Sequence, residues 1–211
     1  MICLAAGIAL PSAWLLNQAN QDAADADRQQ AAAESVTLED PAVSGPSTPQ
    51  ASPSPESSSQ TAKPAVVAKL WVPRFGADWS RLVYEGTSVS KVLTPLGVGH
   101  YSGSALPGQD GNFALAAHRA GSGGPFRNID KFQLGDVVFV ERAGTRFTYR
   151  YLKSQVVEPD AIWVIAPKPM GVSEVSDASA FLTLTSCTPI HVNTQRYVAW
   201  FELIDQQPAT N

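Results

Sequence analysis

The chain has 211 residues, 44% of them hydrophobic, and a net charge of −4 at neutral pH. That is enough apolar content for one packed domain plus appendages, and the acidic balance excludes a nucleic-acid binder held by phosphate contacts. Only two cysteines occur, Cys3 and Cys187. Cys3 lies in an apolar N-terminal run, so no disulfide between the two is expected, and Cys187 is either a small buried side chain or a nucleophile.

Residues 1–20 contain the uncharged run ICLAAGIALPSAWLL and are read as a truncated membrane anchor or signal segment, with a helix packed on the domain as the alternative. The run falls short of the roughly 20 residues that a spanning helix needs. Residues 21–64 are expected to be a disordered linker, first rich in Ala, Gln and Asp, then in Pro, Ser and Thr. As a flexible coil, about 45 residues reach ~35–40 Å, which suits a domain held off a membrane.

The folded domain is expected over residues 65–211. VVAKLWVPRFG and SRLVYEG read as strands, and TSVSKVLTPLG as a short helix stopped at Pro95. VGHYSGSALPGQDG reads as loop. NFALAAH is a strand with Phe113, Leu115 and Ala117 on one face and His118 on the other. A short helix is expected over Phe126–Phe132, strands over DVVFVERA, TRFTYRYLKSQVVEP and AIWVIAP, and a helical turn over Ser173–Ala180. In FLTLTSC, Phe181, Thr183, Thr185 and Cys187 share one face, and Leu182, Leu184 and Ser186 the other. RYVAWFEL from Arg196 closes the series. About eight short strands with small helices point to a closed or nearly closed β-barrel, or to a sandwich.

Cys187 ends one strand, and Arg196 opens the next nine residues later. Antiparallel pairing across the connecting loop would set them side by side. A thiolate nucleophile beside a permanently charged donor suits acyl transfer. Cysteine is mostly protonated near neutrality and needs a base or a nearby cation. His118 can take the thiol proton and later protonate a leaving amine. Arg196 can donate hydrogen bonds to an oxyanion or to substrate carbonyls. His191 in the connecting loop is a rival base. Each residue also has a structural reading: a packed histidine, an arginine capping carbonyls, a buried thiol. His100 lies in the GHY loop. The chain lacks paired metal-ligand spacing and a calcium-loop pattern, so neither a metal nor a cofactor is expected.

TLTSC followed by that arginine, with GNFALAAHR upstream, resembles the sortases, the cysteine transpeptidases of Gram-positive bacteria. VPRFGADW, VYEGTS, GHYSGSALPGQDGNFALAAHR, PFRNID, LGDVV and LTLTSCTP look most like the class E sortases of actinobacteria, over about residues 68–204. The resemblance implies an eight-stranded β-barrel, an N-terminal membrane anchor and an extracellular catalytic domain. It implies catalysis by His118, Cys187 and Arg196. It also implies cleavage of a Leu-Pro-X-Thr-Gly or Leu-Ala-X-Thr-Gly sorting signal of a secreted protein between Thr and Gly. The acyl group would pass from a thioacyl-enzyme to an amine of a cell-wall precursor or of a pilin lysine. The chain departs from the common pattern at Ser186, where the family usually has Thr, and at Thr188 and the IHVNTQ loop.

Tyr101, Ser104 and Thr185 are substrate-groove candidates beside that resemblance. The Tyr101 hydroxyl could meet the polar backbone of a signal lacking proline; a packed loop aromatic is the competing reading. Thr185 shares the Cys187 face, with barrel-interior packing as its alternative. Competing functions are a secreted cysteine hydrolase, another cell-wall cysteine transpeptidase, and a stalked β-domain that binds the wall without catalysis.

Overall fold

The computed structural model describes residues 10–36, 63–172 and 174–209. Eight strands close into one barrel: β1 (Val66–Trp71), β2 (Ser80–Glu85), β3 (Val98–His100), β4 (Gly111–Ala117), β5 (Val137–Arg142), β6 (Thr145–Val157), β7 (Ala180–Thr188) and β8 (Gln195–Pro208). Their order around the barrel is β1-β2-β3-β4-β7-β8-β6-β5. The pairs β2–β3 and β4–β7 are parallel; the rest are antiparallel. Closure leaves no open edge.

Alternation along β4, β7 and β8 decides which side chains fill the barrel. Phe113, Leu115, Ala117, Leu182, Leu184, Ala199 and Phe201 join one interior cluster. The opposite parity of β7 and β8 faces outward, where Phe181, Val198 and Trp200 pack with Val164 and Val172 in a second cluster. Cys187 has the outward parity, on the wall of the barrel and not in its core.

Two segments exchange roles relative to the sequence reading. AIWVIAP is not a strand: Ile162–Ile165 form a 3-10 turn. Its carbonyls are taken by side chains instead of a ladder. The Trp200 indole donates to Val164 O (3.1 Å), and the Asn112 amide donates to Ala166 O (3.0 Å). Val98–His100, expected as loop, is a strand, because pairing to both β2 and β4 supplies the regularity that three residues with a glycine cannot signal. The TSVSKVLTPLG helix passes Pro95: a five-residue helical turn at Val89–Leu93 runs into α2 (Thr94–Leu96), where proline is tolerated in the first turn. The helix expected over Phe126–Phe132 shrinks to a 3-10 turn at Ile129–Lys131. Residues 174–179 form turns and bends with no helix, and Ala180 already belongs to β7.

The largest correction concerns the linker expected from residue 21. Leu10–Glu34 form a helix, α1, that packs against β2. Alanine and glutamine favour helix, and docking here needs few large side chains. Ala33 is fully buried against Leu82, Tyr84, Val92, Leu93 and Ala116. Gln30 Oε1 accepts from Ser80 N (2.9 Å) and Arg81 (2.7 Å), while its amide donates to Asp78 O (2.6 Å). Gln29 donates to Ser122 O (3.1 Å), and Asp22 pairs with Arg127 at 3.0 Å. The approach is close enough that a Cβ at Gly123, whose φ is +76°, would lie 2.8 Å from Ala26 N. Burial in this region pulls the Arg81 guanidinium down to about 10, partly offset by Asp27. The Pro/Ser/Thr-rich stretch at 37–62 and the first nine residues lie outside the described residues. No described helix is long and apolar enough to cross a membrane.

Candidate active site

The site is built from the ends of three neighbouring strands. β8 places Arg196 opposite Cys187 as its Cα partner. On the other flank, β4 runs parallel to β7 with Leu115↔Leu184 and Ala116↔Thr185. His118 follows directly on the last residue of β4, and continuing that register by two residues would bring it level with Cys187. Two side-chain bonds bracket this pairing. Ser186 Oγ donates to Ala117 O at 2.7 Å, and Arg119 donates to Thr188 Oγ1 at 2.8 Å. His118, Cys187 and Arg196 are all half-buried, so each keeps a face open to an incoming molecule.

The His118 Nε2 lies 3.2 Å from the Thr94 hydroxyl, which α2 supplies. Burial lowers the His118 pKa below its usual 6.5, favouring the neutral imidazole that can accept a proton. Cys187 is a free thiol. Arg196 donates to Asn193 O (3.2 Å) and Gln195 O (2.9 Å) through one terminal nitrogen. Those bonds fix its orientation at the mouth of β8 and leave its other guanidinium donors for a ligand.

The three groove candidates take different positions. Tyr101 and Thr185 are joined at 3.0 Å; the Thr185 hydroxyl donates to Leu115 O at 3.0 Å, so the phenol donates to Thr185. Both line a small cavity of about 110 Å³ with Arg196, under the Glu158–Ile165 crossover. Thr185 therefore sits on the outer wall and not in the barrel interior. Ser104 is turned toward His100 instead: its hydroxyl lies 2.8 Å from Nε2 and accepts from Ala114 N at 3.3 Å. His100 is a buried β3 residue and not a loop residue. Its Nδ1 meets Glu85 at 2.8 Å. Burial alone would raise the Glu85 carboxyl, but hydrogen bonds from Ser102 and His100 outweigh it and hold the pKa below the usual value. His191, the rival base, is exposed in the β7–β8 loop with a φ of +67°. Among the described residues no cluster of His, Cys, Asp and Glu could hold a metal.

A sortase-domain family profile matches residues 70–204, most of the barrel. The chain belongs to the sortase family. Sortase SrtE2 of Streptomyces coelicolor is 39% identical over 151 residues, covering 66% of this chain and 56% of that protein. Sortase SrtE1 of the same organism is 35% identical over 132 residues, covering 60% and 37% respectively. This sortase chain thus spans about half or less of the length of those relatives. Among solved structures, sortase E1 from Streptomyces coelicolor with a tripeptide in its active site superposes with a TM-score of 0.63 at 33% identity, over 68% of this chain and 90% of that one. Sortase E from Streptomyces avermitilis gives 0.60 at 35% identity, with the same coverage. The likeness is to class E sortases, on a mainly β, closed eight-stranded barrel. α1 lies outside the matched residues.

Two residues of this sortase's site escaped the sequence reading. Thr94 carries no local signal, because its partner His118 is 24 residues away. Arg119 follows the histidine directly, yet its environment is wholly tertiary: it is buried, pairs with Asp130 at 3.0 Å, and stacks over Tyr197 at 5.4 Å.

Proposed function

We propose that this chain is a membrane-held, extracellular cysteine transpeptidase acting on proteins that carry a Leu-Ala-X-Thr-Gly or Leu-Pro-X-Thr-Gly sorting signal. The observation that supports the reading is Arg196 as the cross-strand partner of Cys187, with the β4–β7 register running from Ala116↔Thr185 toward His118. Membrane attachment falls to the apolar run at residues 2–16.

The chemistry follows from the placement. His118 takes the Cys187 proton, and the sulfur attacks the threonine carbonyl of the signal. The oxyanion that forms accepts hydrogen bonds from Arg196. Collapse breaks the Thr–Gly bond; the imidazolium gives its proton to the departing glycine amine, leaving a thioester on Cys187. An amine of a cell-wall precursor or a pilin lysine then forms the new C–N bond. The C–S electron pair returns to sulfur, and the amine proton passes through His118. The cavity holding Tyr101, Val164, Ile165, Thr185 and Arg196 combines apolar walls with hydroxyls, which suits an apolar residue followed by peptide backbone.

Incubating the full chain with both signal peptides and hydroxylamine tests this, with Cys187→Ala as control and mass spectrometry as readout. Thr–Gly cleavage with a new Thr–amine bond, absent in the control, is the expected result. A free acid as the sole product despite abundant amine would establish a hydrolase instead. No cleavage together with a Cys187 inert to alkylation would favour a wall-binding domain.

A further inference from the structure

We propose that the cavity between the β3–β4 loop and the chain leaving the Ile162–Ile165 turn binds the residues that precede the sorting signal in the substrate protein, and that it selects a basic residue among them. This rests on the reading of the cavity with Tyr101 and Arg196 as the groove for the signal itself. The second cavity measures about 530 Å³. Ser102, Ser104, Gln109 and Asp110 line one side, and Ile165 and Pro167 the other. Tyr101 and Ile165 line both cavities, so the two adjoin on the outer wall of the barrel.

Strand register measures how far the second cavity lies from the thiol. Tyr101 N donates to Ala114 O (2.9 Å), and Ala114 pairs with Thr183, four residues before Cys187. Ala105 N donates to Asn112 O (3.0 Å), and Asn112 pairs with Phe181, six residues before Cys187. At ~3.3 Å per strand residue, the cavity opens ~13 Å from the nucleophile and continues to ~20 Å. In an extended signal with threonine at the sulfur, leucine lies three residues back, ~10 Å away, and the three residues before leucine cover ~13–20 Å. The acyl fragment carries the body of the secreted protein, so its chain has to leave the signal groove at this end.

The lining suits such a segment. Gln109 Oε1 accepts from Leu106 N (3.1 Å), which leaves its amide N–H groups for a peptide carbonyl. Asp110 is exposed, accepts a hydrogen bond from the Ser179 hydroxyl, and has no ion-pair partner among the described residues. No lysine or arginine lines the cavity, so its one charge is negative and complements a basic side chain.

Both walls are held in place without a ligand. Ser104 is fixed by His100 Nε2 at 2.8 Å, and His100 in turn by Glu85 at 2.8 Å. Across the cavity, the buried Asn112 amide donates to Ala166 O (3.0 Å), and Asn112 Oδ1 accepts from the Thr183 hydroxyl (2.7 Å). These bonds tie the chain on the far side to β4 and β7.

The test varies only what precedes the signal. The full chain cleaves Leu-Ala-X-Thr-Gly peptides that begin at an acetylated leucine or carry Ala-Lys-Ala or Ala-Glu-Ala before it, with hydroxylamine as acceptor. The expected kcat/KM is at least threefold higher for the lysine extension than for the glutamate extension, the size of one exposed ion pair. Asp110→Lys, at an exposed loop position, should reverse that order. A smaller ratio, or one that Asp110→Lys leaves unreversed, overturns the proposal. In parallel, the lysine-extended peptide is titrated into Cys187→Ala and followed by NMR. Shifts at Gly103, Asp110 and Gly111 are expected that the acetylated peptide does not cause and that vanish when Pro167→Trp fills the cavity from its exposed rim. No shift at those residues overturns the subsite whether or not cleavage occurs. Failure of every peptide to be cleaved, with those shifts present, sinks the proposed reaction and leaves the subsite standing, so the two readings fail separately.

Discussion

Cys187 and Arg196 face each other as direct cross-strand partners on β7 and β8, with the connecting loop folded back so that Arg196 is tied to Asn193 O and Gln195 O. The arginine is held by backbone groups of its own loop and owes nothing to the thiol. Arg196→Ala should therefore slow turnover by about 10²–10³, the cost of losing one oxyanion donor. Alkylation of Cys187 by iodoacetamide should change only a few-fold. Equal losses in both assays would assign Arg196 to thiol activation.

Arg119 joins the residue after His118 to the residue after Cys187, through Thr188, and is anchored by Asp130. Arg119→Met should destabilise the chain by about 3 kcal/mol, at the low end for breaking a buried pair because the remaining Asp130 is partly exposed. Denaturant midpoints give the stability. Cys187 alkylation rates should fall as well, since the strand ends lose a cross-tie.

Tyr101→Phe removes the bond to Thr185 but leaves Thr185 bonded to Leu115 O. Stability should drop by only about 0.5–1.5 kcal/mol, the usual net worth of one hydrogen bond. The groove loses a hydroxyl, so KM for the two signal peptides should change unequally. Unchanged constants for both would remove Tyr101 from substrate recognition.

The lowered pKa of His118 makes a pH prediction. Below about 6.5 the unfolded chain protonates this histidine before the folded chain does, so the unfolded state binds more protons. The His118 contribution to stability is thus complete above 6.5 and declines as pH falls beneath it. Thermal midpoints measured from pH 7.5 down to 5 should fall for the unmodified chain, with a shallower slope for His118→Asn. Parallel slopes would show that His118 does not titrate in this window.

Ala33→Asp puts a carboxylate in the apolar contact between α1 and the barrel. Amide hydrogen exchange should accelerate across residues 18–34 while β4, β7 and β8 stay protected. Protection retained in α1 would show that the helix is held by Gln29 and Gln30 without Ala33.

Much of the barrel was legible in the sequence because a strand writes its burial as alternation. Leu182 and Leu184 face inward and Thr183, Thr185 and Cys187 outward, as the period-two pattern of FLTLTSC requires. The cysteine and arginine could be placed side by side from the loop length alone. Where tertiary partners replace the pattern, the sequence was mute. β3 is a strand because β2 and β4 flank it, and AIWVIAP is not one because Asn112 and Trp200 claim its carbonyls.

The same division runs through the site. Residue type and local spacing determined that Cys187 ends a strand with an arginine opening the next, and a motif 69 residues upstream supplied His118. Only the parallel β4–β7 register, closed by the barrel, directs the chain that leads to that histidine toward the strand end carrying the thiol. Only packing recruits α1, whose alanine- and glutamine-rich face looks like linker because its burial rests on Ala33 and two amides and not on large apolar side chains. Hydrophobic periodicity is a local record of burial; contacts made by backbone approach and hydrogen bonds over long sequence separations leave no such record.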